Sequence, residues 1–153
     1  MPNIVWSDEL SLGIEMIDSQ HKMLIRLCNQ LLIAIRHGKS HSELQKLFHE
    51  LSEYTVVHFN DEEAFLHGMG YPRLKEHRVF HAKLKRDVRE YQRRLFHHQE
   101  IEANEVLAFL KSWLIDHILA EDTRYARFHH REEHLAKQAA DQNGNSDTSS
   151  PSA

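Results

Sequence analysis

Cysteine is nearly absent from this 153-residue chain, and the one present, Cys28, cannot close an internal disulfide. A disulfide-stapled secreted scaffold is excluded, and a reducing, cytoplasmic setting is expected. Glycine and proline are scarce, at 5 and 3, which argues against a turn-rich all-β architecture and against a low-complexity chain. No apolar run approaches the roughly 20 residues of a membrane-spanning helix, and the stretch from Met1 to Glu9 has neither the basic nor the apolar region of a secretory signal. The formal charge of -4, with acids and bases interspersed, provides no basic surface for a phosphate backbone. Nucleic acid is therefore not expected as a partner, and the chain is not expected to span a membrane.

What is present is periodic. Residues 1–17 carry Trp6, Leu10, Leu12, Ile14 and Ile17 without sustained helical spacing, and read as an ordered arm packed over one end of a bundle. Asp18 or Ser19 is suited to cap the helix that follows, in which His21, Leu24, Ile25, Cys28, Leu31, Leu32 and Ile35 fall on one stripe before Gly38. Ser40 and Glu43 have capping-box spacing for a second helix with Leu44, Leu47, Phe48, Leu51, Tyr54, His58, Glu62 and Phe65 around one face. Pro72 suits the first turn of a third, which carries Leu74, His77, Phe80, His81, Leu84, Val88 and Leu95. After a connector at His97–Glu100, a fourth places Val106, Leu107, Leu110, Trp113, Leu114, His117 and Ile118 together. Four amphipathic stretches with short links predict an all-α, up-down-up-down four-helix bundle over residues 1–132. The apolar pattern fades near Glu133, so residues 133–153 read as a polar, disordered tail.

One count is out of proportion, the 14 histidines. Those that fall on inward stripes are His21, His58, His77, His81 and His117, joined there by Glu62 and, by position, Asp122. A buried imidazole or carboxylate without a partner costs on the order of 1–3 kcal/mol or more, so seven such groups in one small core need a common explanation. Metal provides it. Five nitrogens and two carboxylates exceed what one zinc ion takes, and no thiolate is among them. Two ions fit better. If both carboxylates bridge two six-coordinate ions with a small oxygen between them, two imidazoles on one side and three on the other leave one position open. A redox-capable pair in a dry bundle then invites a small diatomic ligand. Most other histidines read as solvated surface, with His129, His130 and His134 able to take a stray transition ion. Tyr54 reads as core packing, its hydroxyl a candidate to reach the site.

His21, the run His58-Phe59-Asn60-Asp61-Glu62, the pair His77 and His81, and Trp113-Leu114-Ile115-Asp116-His117 through Asp122 resemble the hemerythrins of the single-domain bacterial type. The arm is similar too, with Val5-Trp6-Ser7 and Gly13-Ile14 ahead of Asp18-Ser19-Gln20-His21. The resemblance covers about residues 4–128 and implies a non-haem di-iron centre (Fe2+/Fe3+) with an oxo or hydroxo bridge. In it Glu62 and Asp122 would bridge, His77, His81 and His117 would hold the saturated iron, and His21 and His58 the open one. Dioxygen would bind end-on at the open iron as hydroperoxide, taking the proton of the bridging hydroxide. The formal charge of the core is then unchanged by oxygenation, so the surroundings need not reorganise.

The resemblance also implies an oxygen pocket walled by Trp113 and Leu114, four and three residues before His117, with Trp6 and Ile14 closing the same end. The expected role is reversible oxygen carriage, storage or delivery to an oxygen-consuming enzyme, by a monomer that is not itself an enzyme. The alternatives are a di-iron oxidase or peroxidase, which in ferritin-like bundles uses four carboxylates and Glu-x-x-His pairs instead, and a sensor of oxygen or nitric oxide acting through a partner. Last, His117 and Asp122 are five apart, about 140° from one another on a regular helix. The fourth helix must therefore bulge or reorient between them, for instance by a π-type irregularity.

Overall fold

The computed structural model describes the backbone of residues 3–146 and the side-chain surroundings of residues 3–143. Four long helical segments form a bundle: α1 (Glu15–Arg36), α2 (His41–Gly68), α3 (Leu74–Phe96), and a fourth that starts as α4 (Ala103–Leu110) and ends as α5 (Thr123–Ser146). α1 packs on α2, α2 on α3, and α4 returns to α1, which is the up-down-up-down order. The stripes read from the sequence form its interior. Leu24, Leu31 and Leu32 of α1, Phe48, Leu51 and Leu66 of α2, Leu95 of α3 and Leu110 and Ile118 of the fourth helix are completely buried, each stabilising the fold by roughly 1.5–3 kcal/mol relative to exposure. Phe80 is the exception among the predicted core residues. It is 37% exposed, because His77, His81 and Leu84 already occupy the inward face of α3.

The links behave as their residues dictate. α1 ends with Gly38 at φ +65° and Lys39 N–H donating to the Ala34 carbonyl at 3.1 Å; α2 ends likewise with Gly70 at φ +68° and Tyr71 N–H donating to Leu66 at 3.0 Å. Both are the left-handed helix stop that glycine favours. Ser40 caps α2 by accepting from Glu43 N–H at 3.2 Å, and Pro72 sits in the turn just ahead of α3.

Three features depart from the sequence reading. α1 starts at Glu15, with Ile14 as its cap residue, not after Asp18. The Asp18 carboxylate instead accepts from Leu12 N–H at 2.8 Å and from the Ser11 hydroxyl at 2.6 Å, tying the arm to the first turn. The arm, moreover, does not cover an end of the bundle. Ile4 exchanges hydrogen bonds with the Asn29 amide, and Asn3 accepts from Arg36 at 2.7 Å, so the arm runs antiparallel along the length of α1. Regular structure also does not stop at Glu133. α5 continues to Ser146 with residues 131–143 exposed, the remainder of the expected tail lying outside the described residues. Alanine, glutamine and charged residues sustain helix without needing a buried face.

Among the described residues no helix is long and apolar enough to cross a membrane. Cys28 is fully enclosed in α1, and burial pushes its thiol up to about 12.

Candidate metal centre

The bulge required between His117 and Asp122 is present. From Lys111 to Asp116 and from Ile118 to Asp122 the fourth helix is wound as π-helix, and Thr123 N–H donates to the Ile118 carbonyl five residues back. Winding closed by hydrogen bonds that reach five residues back has more residues per turn than an α-helix, which turns Asp122 toward the side His117 faces. Asp122 is fully buried, His117 lies at the edge of the core, and the two approach to 3.1 Å. On α2 and α3 the ordinary four-residue step does the same for His58 with Glu62 and for His77 with His81.

All seven predicted residues meet at one place. Glu62 Oε1 stands 2.6 Å from His77 Nε2 and 3.0 Å from His81 Nε2, whereas its Oε2 stands 3.1 Å from His58 Nε2 and 3.7 Å from His21 Nε2. Asp122 repeats the division: Oδ1 lies 3.3 Å from His77 Nε2 and 3.1 Å from His117 Nε2, and Oδ2 3.2 Å from His21 Nε2. The two carboxylates thus sort the imidazoles into a set of three (His77, His81, His117) and a set of two (His21, His58), each set facing one oxygen of each acid.

Hydrogen bonding does not satisfy this arrangement. Both Asp122 oxygens and His117 Nε2 are buried with no hydrogen-bond partner, the nearby atoms being misaligned. Two donors each about 2.1 Å from one ion and at right angles stand about 3.0 Å apart, close to the spacings above. Orphaned lone pairs converging at that distance fit metal ions. Without them, protons serve as the cations. Burial disfavours the charged form of His21 and of His77, but in each case Asp122 and Glu62 prevail and raise the pKa, to about 9 and about 10. Burial would raise the Glu62 and Asp122 carboxyls, yet the surrounding histidines hold both below the usual carboxylate range. His81 goes the other way: burial lowers it, and His77 and His117 add repulsion.

Partners outside the cluster set the ring orientations. Gln20 donates its amide to Asp61 at 2.8 Å, so its carbonyl faces His58 and accepts from Nδ1–H at 2.6 Å. That leaves the His58 Nε2 lone pair aimed inward. His81 Nδ1 lies 3.5 Å from Glu63, itself paired with Arg78, and the Phe59 ring stacks on His81 at 3.8 Å. Tyr125 is buried and donates its hydroxyl to Glu62 Oε2 at 3.2 Å, its pKa driven well up, first by burial and then by the two acids. Tyr125, not Tyr54, is the tyrosine at the site. It stands three residues after Asp122, a spacing that could have marked it.

A small, partly enclosed cavity of about 10 Å³ adjoins His21, His58, His117 and Asp122 and is walled by Leu24, Phe59, Leu84, Trp113, Leu114 and Ile118. That is about the room one water-sized molecule needs. Trp113 is pinned as a wall by its indole N–H, which donates to the Leu84 carbonyl at 2.9 Å. The sequence reading named Trp113 and Leu114 but not Leu24, Phe59, Leu84 or Ile118, although each follows a predicted ligand by one or three residues. Trp6 and Ile14 are corrected: neither lines the cavity. Because the arm lies along α1, Trp6 sits under the Lys22 ammonium at 4.9 Å from its ring centre, and Ile14 packs in the general core.

Fold and site together define a helical-bundle protein with a buried histidine–carboxylate cluster suited to binding cations. Its sequence from residue 12 to 129 matches the hemerythrin HHE cation binding domain, and the chain belongs to the hemerythrin family. It is 36% identical over 125 residues to the bacteriohemerythrin of Pseudomonas aeruginosa (strain PAO1), covering 82% of this chain and 80% of that one. It is 31% identical to the bacteriohemerythrin of Clostridium acetobutylicum, covering 79% and 97%. A solved wild-type hemerythrin superposes with a TM-score of 0.74 at 27% identity, over 81% of this chain and 95% of the other.

Proposed function

We propose that this protein binds dioxygen reversibly at a pair of non-haem iron ions, held by His77, His81 and His117 on one side and His21 and His58 on the other, with Glu62 and Asp122 shared between them. The observation that carries this reading is the division of the imidazoles by the two acids, with a cavity that touches both rings of the smaller set and only His117 of the larger. Two irons, if bound there, would supply the pair of electrons that reversible oxygen binding requires.

The chain's own groups supply the rest. Gln20 holds the His58 ring so that Nε2 faces inward. Trp113 and Leu114, with Phe59, Leu24 and Ile118, keep water from the cavity, which slows loss of the oxygenated form by autoxidation. Tyr125 donates to Glu62 on the oxygen that faces His21 and His58, steadying the acid on the open side. The donor set favours binding over oxygen activation, because two carboxylates stabilise high-valent iron less than four. We infer a cytoplasmic carrier or store that acts as a monomer and passes oxygen to an oxygen-consuming enzyme.

Oxygen titration tests the function. The reduced protein, with two irons per chain by metal analysis, should develop charge-transfer absorption in air and lose it under vacuum as the colourless form returns. Immediate conversion to the ferric form with substrate turnover would establish a di-iron oxidase instead. A single tightly held ion per chain would end both readings.

A further inference from the structure

A second cluster of metal-type side chains lies on α5, outside the buried core. His129 Nε2 stands 3.2 Å from Glu133 Oε1 and His130 Nδ1 stands 3.8 Å from Glu133 Oε2, and one ligand atom from each of the three residues lies within 4.8 Å of the others. Adjacent and four-apart residues on a helix are routinely near one another, so proximity alone decides nothing. The other nitrogen of His130 decides more. Its Nε2 is 2.7 Å from the Leu12 carbonyl in the arm. A carbonyl only accepts, so Nε2 carries the proton, and in the neutral ring Nδ1 is a bare lone pair. A ligating histidine needs that pairing, one nitrogen free for the metal and the opposite N–H fixed by an acceptor.

The surroundings preserve the arrangement. A Cβ at Gly13 would come within 3.0 Å of His130 Nε2, and the φ of +69° there suits glycine, so the arm leaves the ring the space it occupies. The His129 ring packs on Phe65 with centroids 5.2 Å apart, which restricts its rotamers. His134, the third member suggested by the sequence, turns away and meets Gln138 at 3.1 Å. Glu133 takes its place.

We propose that His129, His130 and Glu133 form a separate, solvent-facing site for one divalent transition-metal ion such as zinc or copper(II). Two imidazoles and one carboxylate with water completing the shell are the donor set of an open zinc site. The ion would also tie α5 to the arm, since His130 reaches Leu12 through its second nitrogen.

The test is zinc binding by equilibrium dialysis to the protein with its buried centre already loaded with iron, compared among three variants whose helicity is checked by circular dichroism. The wild type should take up one further zinc per chain. His130→Ala and Glu133→Gln should each weaken that uptake by roughly tenfold or more, since losing even an outer partner costs 10–100-fold, and His134→Ala should leave it unchanged. Copper(II) in place of zinc should give an electron paramagnetic resonance spectrum with two coupled nitrogens in the wild type and one in His130→Ala. No further zinc, equal uptake in His130→Ala, or loss on His134→Ala would each overturn the proposal, leaving a solvated ion pair.

Discussion

The two halves of the buried cluster are unequal, and the inequality comes from where their ligands are carried. His77 and His81 share one face of α3 and are joined by His117 from the fourth helix, while His21 and His58 come singly from α1 and α2. Three rings fill their side, so that apolar residues reach it chiefly as stacking partners, as Phe59 does on His81. The cavity touches both rings of the smaller set, His21 and His58, but only His117 of the larger. On the proposed reading, the ion held by fewer imidazoles would lie beside this empty space.

Glu62 divides the halves, so its removal should have the largest effect. Glu62→Ala leaves four histidines without their shared acceptor and should reduce iron from two per chain to less than one, read by metal analysis. Retention of both irons would break the comparison, because the halves would then not depend on a common acid.

Acidity comes next. Metal requires neutral imidazoles, so iron should be lost as the pH falls well below about 6, near the ordinary histidine value. The metal-free protein should differ. His21 and His77 have folded pKa values raised to about 9 and about 10, so their stabilisation is fully present below the unfolded value of about 6.5 and is lost as pH rises through 9 to 10. The depressed acids Glu62 and Asp122 add stabilisation that is present above their unfolded values near 4 and lost as pH falls below them. Thermal melts of the metal-free protein should peak between about pH 4.5 and 6.5; a maximum above pH 9 would contradict the protonated cluster.

Leu114→Ala tests the open half alone. Enlarging the cavity should admit water and speed autoxidation several-fold while iron content stays at two, at a stability cost of about 2–5 kcal/mol. An unchanged decay rate would remove Leu114 from the wall. Tyr125→Phe should do least, costing about 0.5–1.5 kcal/mol for the hydrogen bond to Glu62. Because that bond goes to Oε2, a change in oxygen release without loss of iron would sharpen the difference between the halves, and loss of iron would erase it.

Much of this was legible in the chain. Helical periodicity placed His21, His58, Glu62, His77 and His81 inward because four-residue steps repeat a face, and a glycine stop closed α1 as expected. The five-residue step from His117 to Asp122 was legible as a contradiction, resolved by π-winding. The course of the arm is not legible in the sequence, because hydrogen bonds between distant residues such as Ile4 and Asn29 leave no periodic trace. Trp6 and Ile14, expected at the pocket alongside the resemblance, are not among the residues that line it. The helix beyond Glu133 is not legible in the sequence, because an exposed helix has no apolar stripe.

Sequence by itself determined the four helices, their inward faces and the seven histidine and acid side chains of the buried cluster, because backbone periodicity and residue chemistry are local properties. Only the tertiary structure decided which oxygen of each acid faces which histidine, where the cavity lies, and that Tyr125 and Gln20 complete the site. Those depend on how separate helices are rotated and translated against one another, which close packing of the whole core sets and no single stretch encodes.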